Sequence, residues 1–257
     1  MPDQSPPAVL VEQRDRILVM TINRPAARNA IDAAVSHGLA AAMDRLDNSA
    51  ELSVGVLTGA GENFCAGMDL KAYLAGEAIE VEGRGLGFTE APPRKPVIAA
   101  VEGYALAGGT ELALATDLIV ASRTAVFGLP EVKRGLVAGG GGLLRLPRRM
   151  PYQVALELAL TGENFSAEFG YRHGLINRLV EPGSALESAV ELATRICRNG
   201  PLAVAATKRI VVESSSWPDD QAFDQQRAVF EPVFASQDAR EGAEAFAQKR
   251  EPVWTGK

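Results

Sequence analysis

Apolar, strand-like runs recur in pairs along this chain, each pair followed by a helix-like stretch, and that recurrence limits the fold more than any other feature. Ala8–Glu12 and Ile17–Asn23 flank the charged turn Arg14-Asp15 as a hairpin would, and Pro25 ends the second run. Asp32 is placed to cap a helix whose Leu39, Met43 and Leu46 fall on one stripe, and Ser53–Thr58 resumes as a strand. The pattern returns at Pro96–Val101 with a helix after Gly108, and again at Asp117–Ala121 and Ala125–Phe127 with a helix after Gly140. An α/β fold built as a coiled stack of ββα turns follows.

Beyond Tyr152 the pattern changes. Helices are expected at Tyr152–Leu160, Ala167–His173, Ser184–Arg198, Leu202–Val212, Asp219–Phe234 and Asp238–Lys249, interrupted by one strand at Ile176–Val180. Glu77–Thr89 mixes acids, glycines and isolated apolar residues without a period, which predicts a mobile loop.

A chain of 257 residues has enough length for a large core. No apolar run approaches the ~18 to 20 residues of a membrane helix, so no membrane is expected. The start, Met1-Pro2-Asp3-Gln4-Ser5-Pro6-Pro7, lacks a basic segment followed by an apolar one, which predicts a frayed leader and a cytoplasmic protein. A net charge of −6 argues against a nucleic-acid surface, and any anionic ligand needs locally placed cations.

Several chemistries lose support on spacing alone. Cys65 and Cys197 are too few for a disulfide framework and lack metal-ligand spacing, so no metal is expected. His37 and His173 stand away from any serine or cysteine motif, which disfavours a hydrolytic triad. Gly59-Ala60-Gly61-Glu62-Asn63-Phe64 has phenylalanine where a dinucleotide fingerprint requires its third glycine. Gly139–Gly142 is followed by no phosphate-binding lysine. It is expected to let the backbone pass close to Glu131 and to begin a helix.

What remains is acid–base chemistry. Glu111 and Glu131 each follow a glycine-containing turn, in Gly103-Tyr104-Ala105-Leu106-Ala107-Gly108-Gly109-Thr110-Glu111 and in Phe127-Gly128-Leu129-Pro130-Glu131. Gly108 falls where a helix begins, so its N–H lies at a positive helix end suited to an oxyanion. Glu111, three residues on, is one helical turn away and on the same side. Ala66, in the small-residue turn Asn63-Phe64-Cys65-Ala66-Gly67-Met68-Asp69-Leu70, is the expected second donor. Asp69 is placed to cap the short helix that follows.

Asn23-Arg24-Pro25 with Arg28-Asn29-Ala30, then Phe64–Leu70, then the two glutamate segments twenty positions apart, resemble the enoyl-CoA hydratase/isomerase (crotonase) family, in order and over nearly the whole chain. The resemblance implies a right-handed spiral of ββα units forming two stacked sheets. It implies a crotonase-like core over 1–195 and a helical region over 196–257 that packs trimers, pairing as hexamers. It implies an acyl-CoA substrate with no separate cofactor, Glu111 activating water and Glu131 delivering a proton to the α carbon. Ala66 and Gly108 become the oxyanion hole, and Arg24, Gly67, Met68, Asp69, Phe230 and Lys249 the coenzyme contacts, the last two in some members across a subunit boundary. Both glutamates favour hydration of a trans-2-enoyl-CoA. Isomerisation, dehydration of a specialised acyl group of the carnitinyl-CoA type, and acyl-CoA binding without turnover are the rivals. Ala138 in place of a frequent proline, and Leu143-Leu144 in place of threonine and glutamine, depart from the common hydratase pattern.

Overall fold

The computed structural model describes residues 6–257. Of the expected leader, residues 1–5 lie outside the described residues. Strand β1 (Val9–Arg14) pairs antiparallel with β2 (Ile17–Ile22) through a turn in which Asp15 takes a left-handed φ of 51°. Helix α1 (Ala33–Asn48) starts at Asp32, whose carboxylate accepts the Val35 N–H at 2.9 Å, and buries Val35, Leu39, Met43 and Leu46. Strand β3 (Val54–Gly59) returns parallel to β2 and leads into the short helix α2 (Leu70–Leu74).

The next two turns of the stack each place one strand in each of two sheets. Strands β4 (Val97–Val101) and β6 (Leu118–Ser122) continue the large sheet; β5 (Tyr104–Leu106) and β7 (Val126–Gly128) start a small one. Helix α3 (Gly108–Ala115) follows β5 and is buried along its whole length. A 3-10 turn, Pro130–Arg134, follows β7 and precedes helix α4 (Gly142–Arg149). Helix α5 (Tyr152–Thr161), strand β8 (Phe165–Ser166), helix α6 (Ala167–Arg172), strand β9 (Arg178–Val180) and helix α7 (Ala185–Cys197) complete the core. The large sheet has the order β1-β2-β3-β4-β6-β9 and the small one β5-β7-β8.

Sequence composition explains the layering. Every residue of β4 is buried because the large sheet is covered on both faces. One face meets the main core of Leu18, Met20, Leu57, Ala99 and Val101; the other meets Ala185, Ala189 and Ala193 of α7, small enough to let the helix lie close to Val54, Val56, Ile98 and Val120.

Helices α8 (Pro201–Glu213), α9 (Ala222–Phe234) and α10 (Gln237–Gln248) form the tail. Lys208 ties α8 to the core: its ammonium donates to the Pro93 and Lys95 carbonyls at 2.7 and 3.0 Å and pairs with Asp117 at 2.7 Å. The boundary expected at 195/196 falls inside the last turn of α7. Among the described residues no helix is long and apolar enough to cross a membrane.

Glu77–Thr89 has no helix or strand, as a loop should, but part of it is anchored to the core. In Glu77–Thr89 the second half is packed: Leu86, Phe88 and Thr89 are buried, and Arg84 pairs with Asp44 of α1 at 2.7 Å. A short apolar pair among glycines carries no period, yet each of its side chains fills the core. Strands β5 and β8 are also absent from the sequence expectation, since three and two residues are too short to show alternation.

Candidate active site

The turn after β3 and the turn between β5 and α3 are locked side by side. Cys65 N–H donates to the Tyr104 carbonyl at 2.9 Å, and Leu106 N–H donates to the Cys65 carbonyl at 3.0 Å. A Cβ at Gly109 would come within 2.1 Å of that carbonyl oxygen, which explains the glycine.

Within the first turn the expected donor is engaged elsewhere. Ala66 N–H donates to the Arg28 carbonyl at 3.0 Å, and Gly67 N–H donates to Cys65 Sγ at 3.4 Å. Asp69 N–H donates to the Ile31 carbonyl at 2.8 Å. The Met68 N–H meets no acceptor among the described residues, and neither does the Gly108 N–H at the start of α3. The two are neighbours: a Cβ on Gly108 would lie 3.6 Å from the Met68 nitrogen. Met68, expected to contact the coenzyme, therefore replaces Ala66 as the second free donor beside Gly108. The sequence shows small residues in this turn but not which amide the neighbouring Arg28 and Ile31 carbonyls consume.

Glu111 is 3% exposed on the first turn of α3, and its Oε1 accepts the Gly142 N–H at 2.9 Å. Burial pushes its carboxyl up to about 7, with the nearby Glu131 adding to the rise, against the Gly142 and Gly140 amides and the Arg145 guanidinium. Glu131, half-buried on the 3-10 turn, is also raised by burial, and among the described residues its Oε2 has no hydrogen-bond partner. The glycine run 139–142 begins α4 as expected, but it passes close to Glu111 rather than Glu131. A Cβ on Gly140 would lie 2.9 Å from Glu111 Oε2, and one on Gly142 would lie 2.9 Å from Glu111 Cγ. The carboxylate needs those bare amides beside it.

Glu111, Glu131, Ala66, Met68 and Gly108 line one cavity of about 350 Å³. Leu70, Tyr73, Leu86, Leu136 and Val137 give it an apolar side, and Glu80 and Arg134 add charge. Arg145, which no sequence motif singles out, donates to the Thr89 carbonyl and, at 3.4 Å, to that of Gly140. It thereby joins the packed loop to the glycine run behind Glu111. Its only sequence signal is a cation following Leu143-Leu144, both of which are exposed.

The other expected residues lie outside the cavity lining. Arg24 pairs with Asp32 at 3.1 Å and with Asp69 at 3.0 Å, and donates to the Ala30 carbonyl. Asp69 caps α2, accepting the Lys71 and Ala72 amides; burial alone would raise its carboxyl, but Arg24 and those amides hold it below the usual range. Gly67 adopts φ 102° with its own amide on Cys65. Phe230 packs on Phe234 with ring centroids 5.4 Å apart in α9, and Lys249 ends α10 in a left-handed conformation with φ 54°. Neither approaches the cavity from within this chain. His37 lies on α1, and His173 at the end of α6 shares a 2.9 Å hydrogen bond with the Phe169 carbonyl.

Residues 12–257 match the family described as enoyl-CoA hydratase/isomerase. The chain is 44% identical over 257 residues to enoyl-CoA hydratase EchA19 of Mycobacterium tuberculosis, with 97% of each chain covered. It is also 44% identical over 250 residues to carnitinyl-CoA dehydratase of Salmonella heidelberg, covering 94% of this chain and 95% of that one. The crystal structure of enoyl-CoA hydratase EchA1 from Mycobacterium marinum resembles it with a TM-score of 0.97 and 68% identity, over 98% of this chain and 100% of that one.

Proposed function

The chain belongs to the enoyl-CoA hydratase/isomerase family, and from that premise we propose that its cavity adds water reversibly across the double bond of a trans-2-enoyl-CoA. The chain is an enoyl-CoA hydratase, a hydro-lyase, in this reading. The observation that carries it is the meeting of two carboxyl groups with the unengaged Met68 and Gly108 amides at one cavity.

The chemistry follows from where charge develops. Attack of water on the β carbon drives electrons through the conjugated system onto the thioester oxygen. Two fixed N–H donors favour that enolate-like state over the neutral substrate, each by about 2.7 to 4 kcal/mol. Glu111, held at Gly142, takes the proton of the attacking water; Glu131 delivers a proton to the α carbon. Dehydration exchanges the two roles. Isomerisation needs one base only, so the presence of both acids favours hydration.

Coenzyme A enters as part of the substrate, and no cofactor is required. Arg24 is placed to support the coenzyme only in company with Asp32 and Asp69, so its charge is already shared. Phe230 and Lys249 are proposed to reach the coenzyme of a neighbouring subunit. Support for assembly comes from the tail, where Phe223, Phe234 and Phe246 are 78%, 78% and 88% exposed. The reading divides the chain into a spiral core over 1–195 and an assembling tail over 196–257, in a cytoplasmic trimer or dimer of trimers. Light scattering at micromolar concentration checks the assembly: a strict monomer contradicts it. For the reaction, the expected result is loss of crotonyl-CoA absorbance with the wild type, slowed about 10²–10⁴-fold with Glu131→Gln while butyryl-CoA still binds. Binding without turnover across a panel of enoyl-CoA thioesters contradicts it.

A further inference from the structure

Ala107, between β5 and α3, has φ 51° and ψ −124°. Glycine adopts that conformation freely, whereas for an alanine it stores strain that persists only when the surroundings impose it. Here they do. The Ala107 N–H donates to the Gly128 carbonyl at 2.8 Å, and its carbonyl accepts the Glu111 N–H at 3.1 Å. Thr110 Oγ1 holds the same corner, donating to the Ala105 or Gly128 carbonyl at 2.6 and 2.8 Å and accepting the Gly128 N–H at 3.0 Å. A glycine would relieve the strain and keep every one of these bonds, so the backbone gives no reason for the methyl.

The methyl itself faces the site. Ala107 lines the cavity with Met68, Gly108, Glu111 and Glu131. A Cβ built on Gly67 would come within 2.8 Å of the Ala107 Cβ, so the methyl occupies the space a side chain at Gly67 would need. Gly67 is bonded to Met68, and Ala107 to Gly108, the two residues with unengaged N–H groups. The methyl set between these two turns therefore belongs to a residue whose conformation disfavours having a side chain.

We propose that Ala107 is a positioning residue: its methyl, filling the space beside Gly67, sets the separation of the Met68 and Gly108 N–H groups, and the backbone strain at 107 is retained for that purpose. This rests on the hydration reading of the site. Losing one such donor altogether lowers kcat by about 10²–10³-fold. A pair that is slackened rather than lost is expected to lower it by about 10-fold, with ground-state binding little changed.

The test compares Ala107→Gly and Ala107→Ser with the wild type on crotonyl-CoA, with butyryl-CoA as a non-reacting ligand. Ala107→Gly is expected to lower kcat about 10-fold, with KM and the butyryl-CoA Kd within about two-fold of wild type and a Tm unchanged or raised by up to about 3 °C, since strain relief opposes the lost methyl packing. Ala107→Ser, which keeps the Cβ, is expected to stay within about two-fold of wild type in kcat. A wild-type kcat in Ala107→Gly, a Ser variant as slow as the Gly variant, or a Tm several degrees lower in Ala107→Gly overturns the inference while leaving hydration standing. A wild type inactive on every enoyl-CoA offered overturns the hydration reading and this inference with it.

Discussion

The glycine-lined corner around Glu111 and the three-helix tail solve opposite problems. At the corner, Glu111, Gly108, Gly109 and Thr110 are buried, and Gly109, Gly140 and Gly142 admit atoms where a Cβ would collide. In the tail, α8 and α9 have no buried residue, and Phe223 and Phe234 of α9 face outward. The corner is finished within one chain; the tail leaves Phe223, Phe234 and Phe246 exposed, the surface proposed for assembly. A substitution at the corner should therefore be felt locally and severely, and one in the tail through assembly.

The largest expected effects test the corner. Glu131→Gln and Glu111→Gln are each expected to lower kcat for crotonyl-CoA hydration by about 10²–10⁴-fold, the range of a lost general acid or base, with butyryl-CoA binding retained. Similar losses from tail substitutions that leave assembly intact would erase the contrast. Gly109→Ala is expected to prevent stable folding or cost more than about 4 kcal/mol, because its Cβ would meet the Cys65 carbonyl at 2.1 Å. Urea unfolding and circular dichroism check this, and a near-wild-type midpoint would show that the two turns can part cheaply.

The pH dependence gives a smaller and signed effect. Glu111 holds its proton in the fold to about pH 7, whereas its ordinary value is 4.5. The unfolded chain then releases that proton first, so this group is harmless below about pH 4.5 and costs stability as pH rises towards 7, reaching about 3 kcal/mol above that. Glu111→Gln should accordingly be more stable than wild type at pH 8 by up to that amount, and should lose the advantage near pH 4.5, as urea midpoints at the two values would show. In the wild type, kcat/KM should rise through about pH 7 as the base deprotonates, with the two acids titrating as a pair. The smallest effect belongs to the tail: Phe246→Asp should change the sedimentation or light-scattering mass while shifting the intrinsic unfolding midpoint of the core little.

Much of this arrangement is legible in the residues. The pairing of β1 with β2, the Asp32 cap, the alternation into β3 and β4 and the helices beyond Tyr152 follow from period and capping chemistry. The two glutamates and Gly108 are legible because glycine and a carboxylate at helical spacing suit an oxyanion site. What escapes the sequence is set by tertiary contacts. Whether Ala66 or Met68 has the free amide depends on the Arg28 and Ile31 carbonyls, more than thirty residues away. That Gly140 and Gly142 serve Glu111 rather than Glu131 depends on how α4 meets α3. Burial of Phe88 in a stretch rich in glycine and acid has no periodic signature, and β5 and β8 of the small sheet are shorter than one full alternation.

The central claim is that two acids act as one unit on a single thioester. The double variant Glu111→Gln/Glu131→Gln, assayed for crotonyl-CoA hydration beside both single variants, tests it most directly. If the acids cooperate in one cavity, the double variant loses no more than about the worse single variant. Losses that multiply would mean that the two groups act independently and would contradict the account.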